Sequence, residues 1–205
     1  MTIEQYLQRD CKFYQRLDAE EFLRITADCP KRSDGQPYHS TPPNLGMMRM
    51  AFGAAKTVVG RMRVLEIGYN LGHSRAILES FPFVDEIVSV DISDHAADAY
   101  FQKYSNQHGF ILGDTELPDT WNLIRSAGNF NLALIDGDHS VEGVRNDVRN
   151  CIAIGIRHFV FDDLLPHWGP GTLPAIQHFD LHVHGIFGNM AFCQKKDTGW
   201  TVDES

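Results

Sequence analysis

The sequence predicts an α/β fold: a mostly parallel sheet of seven strands, with helices on both faces, that ends in an antiparallel hairpin. From residue 63 onward, short apolar runs alternate with helical segments, which is typical of parallel strands joined by crossover helices. The clearest helix carries an apolar stripe of Val141, Val144, Val148 and Ile152 at helical spacing. Runs 181–187 and 190–195 flank the turn residues Gly188 and Asn189, and this pattern predicts the hairpin.

Each remaining element follows from a local pattern. Apolar residues recur every three or four positions from Leu45 to Val59, after Pro42 and Pro43 and before Gly60, which predicts a helix that precedes the alternation. The predicted strands that follow are 64–67, 86–91, 110–112, 132–136 and 156–161. The predicted helices between and after them are 74–81, 94–104, 119–127 and 140–153.

The first 43 residues have a different character from the rest. Residues 3–17 and 19–27 are predicted to form two short helices, and the proline-containing stretch 29–43 is predicted to form a loop or lid. Tyr38 and His39 are candidates to cap the site from this lid. We therefore divide the chain into N-terminal helices and a lid at 1–43 and a main domain at 44–205.

Composition and charge restrict the function. The 205 residues carry a net charge of −9, which disfavours a nucleic acid or an anionic membrane as the partner. No apolar run approaches the ~20 residues of a membrane span, and the N-terminus lacks a signal-peptide core. The four cysteines are far apart, which favours reduced thiols. We expect a cytoplasmic protein that acts on a small molecule, with its oligomeric state open because the N-terminal helices could form a lid or a dimer contact.

The first strand ends in a glycine-containing turn. In Glu66-Ile67-Gly68-Tyr69-Asn70-Leu71-Gly72-His73-Ser74, the two glycines permit a tight turn and a close approach, and exposed N–H groups there suit an anionic group. The spacing lacks the glycine pattern of dinucleotide enzymes, which disfavours a nicotinamide dehydrogenase. The pattern resembles the first motif of class I S-adenosylmethionine-dependent methyltransferases. The resemblance implies that Gly68, Asn70, Gly72 and Ser74 hold the aminoacyl end of that cofactor and that Glu66 belongs to the same site.

The next two strand ends complete the predicted cofactor site. Asp91 follows the first glycine by about one βα unit, which is the offset at which a carboxylate accepts the ribose hydroxyl groups. Ser93 and Asp94 already supply helix caps, which favours the ribose role for Asp91. By the same resemblance, Asp114 or Thr115 contacts adenine, although a solvated loop explains these two residues equally well.

The fourth and fifth strand ends are acidic. Asp136 ends one strand, and Asp162 and Asp163 end the next, so these carboxylates meet if the two strands are neighbours. Carboxylates this close repel one another unless a cation lies between them, and oxygen ligands select Mg²⁺, Ca²⁺ or Mn²⁺. The sequence therefore predicts a metal site at Asp136, Asp162 and Asp163, and Asp136 is also a predicted cofactor-binding residue.

A second resemblance covers this region. The run Asp136-Gly137-Asp138-His139-Ser140, continued to Asp147, resembles a bacterial methyltransferase family related to the Mg²⁺-dependent sugar O-methyltransferases of the macrolide and aminocoumarin pathways. It implies that Asp136, Asp162 and Asp163 bind the metal. It also implies a catalytic base, for which Asp138 and His139 are alternatives.

The predicted activity is transfer of the methyl group of S-adenosylmethionine to a hydroxyl oxygen of a sugar or another acceptor with vicinal oxygens, assisted by a divalent cation, expected to be Mg²⁺. Two alternatives keep the fold: an aminopropyltransferase that uses decarboxylated S-adenosylmethionine, and a non-catalytic module that only binds the cofactor.

Overall fold

The predicted sheet is confirmed. The computed structural model of the chain describes residues 19–29, 42–94 and 109–196, and seven strands in these parts form one sheet. The strands are β1 (Met62–Ile67), β2 (Val84–Asp91), β3 (Phe110–Leu112), β4 (Leu132–Ile135), β5 (His158–Phe161), β6 (Leu181–Phe187) and β7 (Met190–Lys195). Their order is β3-β2-β1-β4-β5-β7-β6. The first five are parallel, and β7 is antiparallel to both β5 and β6, as the predicted hairpin requires.

The described helices are α1 (Ala19–Ile25), α2 (Pro42–Val59), α3 (His73–Glu79), α4 (Pro118–Ala127), α5 (Val141–Ala153) and α6 (Thr172–His178). The predicted helix 3–17 lies outside the described residues, as do Tyr38 and His39. Of the predicted helix 94–104, the structure describes only Asp94. Among the described helices, none is both long and apolar enough to cross a bilayer.

Helix α6 was not predicted. It begins at Thr172, directly after Gly169-Pro170-Gly171. Pro174 obscured the signal, because proline usually ends a helix. It lies in the first turn of α6, where its missing N–H has no partner to lose.

Two apolar layers enclose the sheet. On one face, Trp121 of α4, Val144 and Val148 of α5 and Ile176 of α6 pack against side chains such as Phe161. On the other face, α1, α2 and α3 cover the alternate residues of the same strands, including Val64, Leu134 and Phe192. Successive strand residues point to opposite faces, so both layers draw on the same short apolar runs.

The strand order places a topological switch point at β1. From β1 the chain moves outward to β2 and β3, whereas β4 and β5 lie on the other side. Ligands of open parallel sheets bind beyond the carboxyl ends of the strands at such a point. The predicted neighbours β4 and β5 are adjacent, with Ile135 paired to Phe161 one residue before each acidic strand end.

Candidate active site

A cavity of about 620 Å³ opens at the carboxyl ends of β1, β2, β4 and β5. Most of the predicted site residues line it: Gly68, Asn70, Ser74, Asp91, Asp114, Thr115, Asp136, Asp138, His139, Asp162 and Asp163. Gly72 and Glu66 are not among the lining residues. The cavity is of the size that holds small molecules and cofactors.

Gly68 brings two strand ends into contact. It has a positive φ of 95°, and a Cβ atom at this position would lie 2.0 Å from the carbonyl oxygen of Asp136. A side chain is therefore excluded by contact as well as by conformation. The glycine loop after β1 and the acidic end of β4 share one wall for this reason.

Asp91 organises the glycine loop. Its Oδ2 accepts the N–H groups of Tyr69 at 3.0 Å and Asn70 at 2.7 Å, and its Oδ1 accepts the N–H of Ser93 at 2.8 Å. Asn70 has a positive φ of 47°, which these bonds hold in place. The carboxylate lines the cavity, where hydroxyl groups of a ligand could reach it.

The loop after β3 is fixed from behind by two residues that the sequence analysis did not identify. The carbonyl oxygen of Thr115 accepts the indole N–H of Trp121 and the side-chain amide of Asn146, both at 2.7 Å. Asp114 Oδ1 accepts the N–H of Glu116 at 2.8 Å and closes the turn. A donor to a backbone carbonyl leaves no sequence signal, although Asn146 lies within the conspicuous run that ends at Asp147.

Glu66 lies beneath the cavity rather than in its wall. Its carboxylate is fully buried and accepts the hydroxyl of Ser89, which in turn accepts a guanidinium N–H of Arg75 at 2.7 Å. Burial raises the pKa of Glu66 to about 7, against the opposing effect of Arg75. Glu66 of β1 is therefore linked through Ser89 of β2 to Arg75 of α3.

Asp136, His139 and Asp163 form the tightest group of metal-ligand types in the described residues. His139 Nε2 lies 3.7 Å from Asp136 Oδ1 and 3.6 Å from Asp163 Oδ2. One ligand atom from each of the three residues lies within 4.8 Å of the others. Asp162 lines the same cavity but is not in this group, and its Oδ1 accepts the N–H of Asp163 at 2.8 Å.

These carboxylates lack compensating positive charge. Burial and the carboxylates of Asp162 and Asp163 raise the pKa of Asp136 well above its ordinary value, and burial and Asp163 raise that of Asp162. Neither Lys nor Arg occurs among the described residues that line the cavity. Two carboxylates and an imidazole at this spacing, in an acidic wall, suit a divalent cation.

Asp138 is engaged elsewhere. Its two carboxylate oxygens accept the N–H of Ser140 at 2.9 Å and the hydroxyl of Ser140 at 2.7 Å. These bonds hold the pKa of Asp138 below its ordinary value. Ser140 also caps α5 by accepting the N–H of Gly143 at 3.0 Å, and a Cβ on Gly143 would lie 2.3 Å from Asp138 Oδ2. The turn thus aims Asp138 at the start of the helix.

Asn189 is a further site residue that the sequence analysis missed. From the turn between β6 and β7, its side-chain amide donates to Asp163 Oδ1 at 2.5 Å, and its Oδ1 accepts the N–H of Leu165 at 2.8 Å. Asp163 has a positive φ of 52°. The dipeptide Gly188-Asn189 signalled only a hairpin turn, because the pairing that brings it to β5 is not visible in the sequence.

Comparison with known proteins supports the fold. No protein-family model and no curated protein sequence matches the chain. Among solved structures, an O-methyltransferase from Bacillus cereus in complex with SAH is 15% identical, with a TM-score of 0.59, and the match covers 95% of this chain and 100% of that one. The N-methyltransferase NodS from Bradyrhizobium japonicum WM9, in complex with S-adenosyl-L-homocysteine, is 14% identical with a TM-score of 0.50, covering 95% and 98%.

The MycE methyltransferase of mycinamycin biosynthesis, solved with Mg, SAH and mycinamycin VI, is 22% identical to this chain with a TM-score of 0.50. The match covers 74% of this chain and 46% of MycE, so the chain spans about half the length of that protein. These likenesses show that the chain has the Rossmann-like fold of class I methyltransferases, as predicted. Because the set contains both O- and N-methyltransferases, the fold itself does not select the acceptor atom.

Proposed function

We propose that the protein transfers the methyl group of S-adenosylmethionine to a hydroxyl oxygen of a small molecule, a sugar or another acceptor with vicinal oxygens, with a divalent cation in the acidic half of its cavity. The cytoplasm is the proposed location, in keeping with the buried thiols of Cys151 and Cys193, which form no disulfide.

One observation carries this proposal. A single cavity joins a glycine loop, whose N–H groups Asp91 fixes, to a group of two carboxylates and an imidazole. The first half suits a nucleoside with an amino-acid tail, and the second suits a cation that binds an acceptor hydroxyl. Gly68 holds the two halves in contact, so a donor and an acceptor bound there would be adjacent.

The chemistry assigns a task to each half. A new C–O bond forms to the methyl carbon while the S–CH₃ bond breaks, and the sulfur keeps the bonding pair and becomes a neutral thioether. The hydroxyl proton must leave, and Asp138 and His139 are the candidate acceptors among the lining residues. A bound divalent cation would supply Lewis acidity that lowers the pKa of the hydroxyl group. The described residues of the loops after β1, β2 and β3 would bind and orient the donor.

Binding and turnover test the proposal in sequence. Calorimetry with S-adenosylmethionine and S-adenosylhomocysteine is expected to show binding that Asp91→Ala weakens by at least about tenfold. A panel of sugars, catechols and hydroxy acids is then assayed for S-adenosylhomocysteine, with chelator and with added Mg²⁺ or Mn²⁺. We expect product with at least one vicinal diol, and none after chelation.

Other outcomes contradict the proposal in distinguishable ways. Methylthioadenosine formed from decarboxylated S-adenosylmethionine and a polyamine, unaffected by chelator, would indicate aminopropyl transfer. Cofactor binding with no transfer to any acceptor would indicate a binding module. Methyl transfer that Asp136→Ala leaves unchanged would eliminate the metal-assisted mechanism while retaining the methyltransferase.

A further inference from the structure

The imidazole of His139 is placed between two carboxylates without a hydrogen bond to either. Its Nε2 lies 3.7 Å from Asp136 Oδ1 and 3.6 Å from Asp163 Oδ2. Hydrogen bonds between nitrogen and oxygen span about 2.7–3.2 Å, so these contacts are too long. A nitrogen that served only to orient one carboxylate would approach that carboxylate more closely than the other.

The same distances fit ligands that share a metal ion. With metal–ligand bonds of about 2.1 Å, two ligand atoms are separated by about 3.0 Å at a right angle and about 4.2 Å when opposite. Both distances from His139 Nε2 lie inside this range. The three ligand atoms, all within 4.8 Å of one another, need only a small contraction to surround one ion.

Hydrogen bonds from neighbouring residues direct the three ligand atoms toward the cavity. The amide of Asn189 binds Oδ1 of Asp163, which directs Oδ2 toward His139. Ser140 binds both oxygens of Asp138, which draws this carboxylate toward the helix start. The described residues that line the cavity supply no Lys or Arg to neutralise the carboxylates. A bound cation would balance their charge.

We propose that His139 is a metal ligand and that, with Asp136 and Asp163, it selects a first-row transition ion such as Mn²⁺, Fe²⁺ or Co²⁺ over Mg²⁺. This inference rests on the proposed function only for what the ion does in the reaction, and the assignment of the ligands does not depend on that function. Mg²⁺ takes oxygen ligands and keeps its waters, whereas imidazole nitrogen binds the later divalent ions more strongly. Asp138 is then the remaining candidate to accept the proton of the acceptor hydroxyl.

Direct detection of the nitrogen–metal bond tests the assignment. The exposed pair His182 and His184 could bind transition ions by itself, since the two rings lie 4.6 Å apart, so a His182→Gln/His184→Gln chain serves as the parent. We expect electron spin-echo spectra of bound Mn²⁺ to show ¹⁴N coupling in the parent and none after His139→Gln. His178→Gln, an exposed histidine at the end of α6, is the matched control and should leave the coupling unchanged.

Affinity gives a second readout that requires no turnover. Calorimetry of the parent is expected to give Co²⁺ and Mn²⁺ at least about tenfold tighter binding than Mg²⁺, and His139→Gln should reduce this preference to about threefold or less. His139→Ala replaces His139→Gln if the latter does not fold. Persistent ¹⁴N coupling in the His139 variant, an unchanged preference, equal affinity for Mg²⁺ and Co²⁺ in the parent, or no metal binding would each overturn the proposal.

The two proposals fail separately. Nitrogen ligation without binding of S-adenosylmethionine would remove the proposed function and leave the metal assignment. Methyl transfer by a protein whose ¹⁴N signal does not depend on His139 would remove the assignment and leave the function.

Discussion

The carboxylates in the two halves of the cavity have different hydrogen-bonding environments. On the side of β1 and β2, Asp91 accepts three backbone N–H groups and holds the glycine loop. On the side of β4 and β5, Asp136 and Asp163 both face His139 Nε2 at distances too long for hydrogen bonds. The first half is internally satisfied before any ligand arrives, whereas the second contains a charge imbalance. The difference separates a preformed binding surface from one that a cation completes under the proposed function.

The contact between the halves gives the largest expected effect. Gly68→Ala places a methyl group 2.0 Å from the carbonyl oxygen of Asp136, so we expect the free energy of unfolding to fall by about 4 kcal/mol or more, or the chain not to fold. Urea unfolding measures this. Gly53→Ala is the matched control, because a Cβ there meets nothing within 4 Å and alanine is favoured in a helix by roughly 0.5–1 kcal/mol. Similar effects for both variants would show that the halves are not in contact.

Asp147 lies close to Gly137, where the two halves meet, and its carboxyl group is expected to make the stability of the protein depend on pH. A Cβ on Gly137 would lie 3.6 Å from Asp147 Oδ2, and burial, assisted by the carboxylates of Asp138 and Asp114, raises the pKa of Asp147 to about 7. The folded state therefore binds this proton more tightly than the unfolded state, so the stability of the metal-free protein should fall as pH rises from about 4 to about 7. Asp147→Asn should raise stability at pH 8 by roughly 2–4 kcal/mol and have little effect at pH 4.

Asp85 supplies the control of opposite sign for this profile. It is an exposed partner of Arg61, whose guanidinium lowers the pKa of Asp85. Asp85→Asn should therefore slightly reduce stability at neutral pH. A pH profile unchanged by Asp147→Asn would show that the Asp147 carboxyl is hydrated in solution.

Two isosteric substitutions compare the halves directly, with chelator present. Asp91→Asn removes acceptor capacity from a carboxylate whose two oxygens both accept backbone N–H groups, and it should lower stability by about 1–3 kcal/mol. Asp136→Asn removes one of several repelling charges and should raise stability by about 1 kcal/mol while abolishing metal binding. Chemical denaturation at pH 8 measures both. If Asp136→Asn also destabilises the metal-free protein, the charge imbalance is not the distinguishing feature of this half.

The last comparison concerns the residue that supports the acidic half. Asn189→Ala frees Asp163 Oδ1 and should weaken metal binding by about tenfold, measured by calorimetry with Mn²⁺. Asn131→Ala is the control, because the Asn131 amide also makes two hydrogen bonds. It accepts the N–H of Arg63 and donates to the carbonyl of Arg61, at the end of β1 far from the cavity. It should lower stability and leave metal affinity unchanged.

Much of the fold followed from the sequence because it depends on local periodicity and on strand ends. Asp91, Asp136, Asp162 and Asp163 were placed at one edge of the sheet because parallel strands bring their carboxyl ends together. The hairpin followed from two apolar runs and a turn. Helix α6 was missed because Pro174 lies in its first turn.

The finer geometry of the site depends on side-chain direction, which periodicity does not report. His139 follows a strand by four residues, and only the turn capped by Ser140 decides that its Nε2 faces both carboxylates. Glu66 belongs to the glycine motif but points beneath it, toward Ser89 and Arg75. Asn189 reaches Asp163 through antiparallel pairing late in the chain, and no spacing rule connects the two residues.

The close packing of Gly68 on the Asp136 carbonyl predicts that the two proposed binding equilibria, of nucleoside and of metal, are interdependent. An occupant that fixes the glycine loop also fixes the backbone from which a metal ligand projects, with no intervening side chain to absorb a displacement. Coupling between two sites is reciprocal, so a metal ion that tightens the hold on the nucleoside must itself be held more tightly, by the same factor, when the nucleoside is bound. The missing side chain at residue 68 would thereby let the proposed donor and cation bind cooperatively in one cavity.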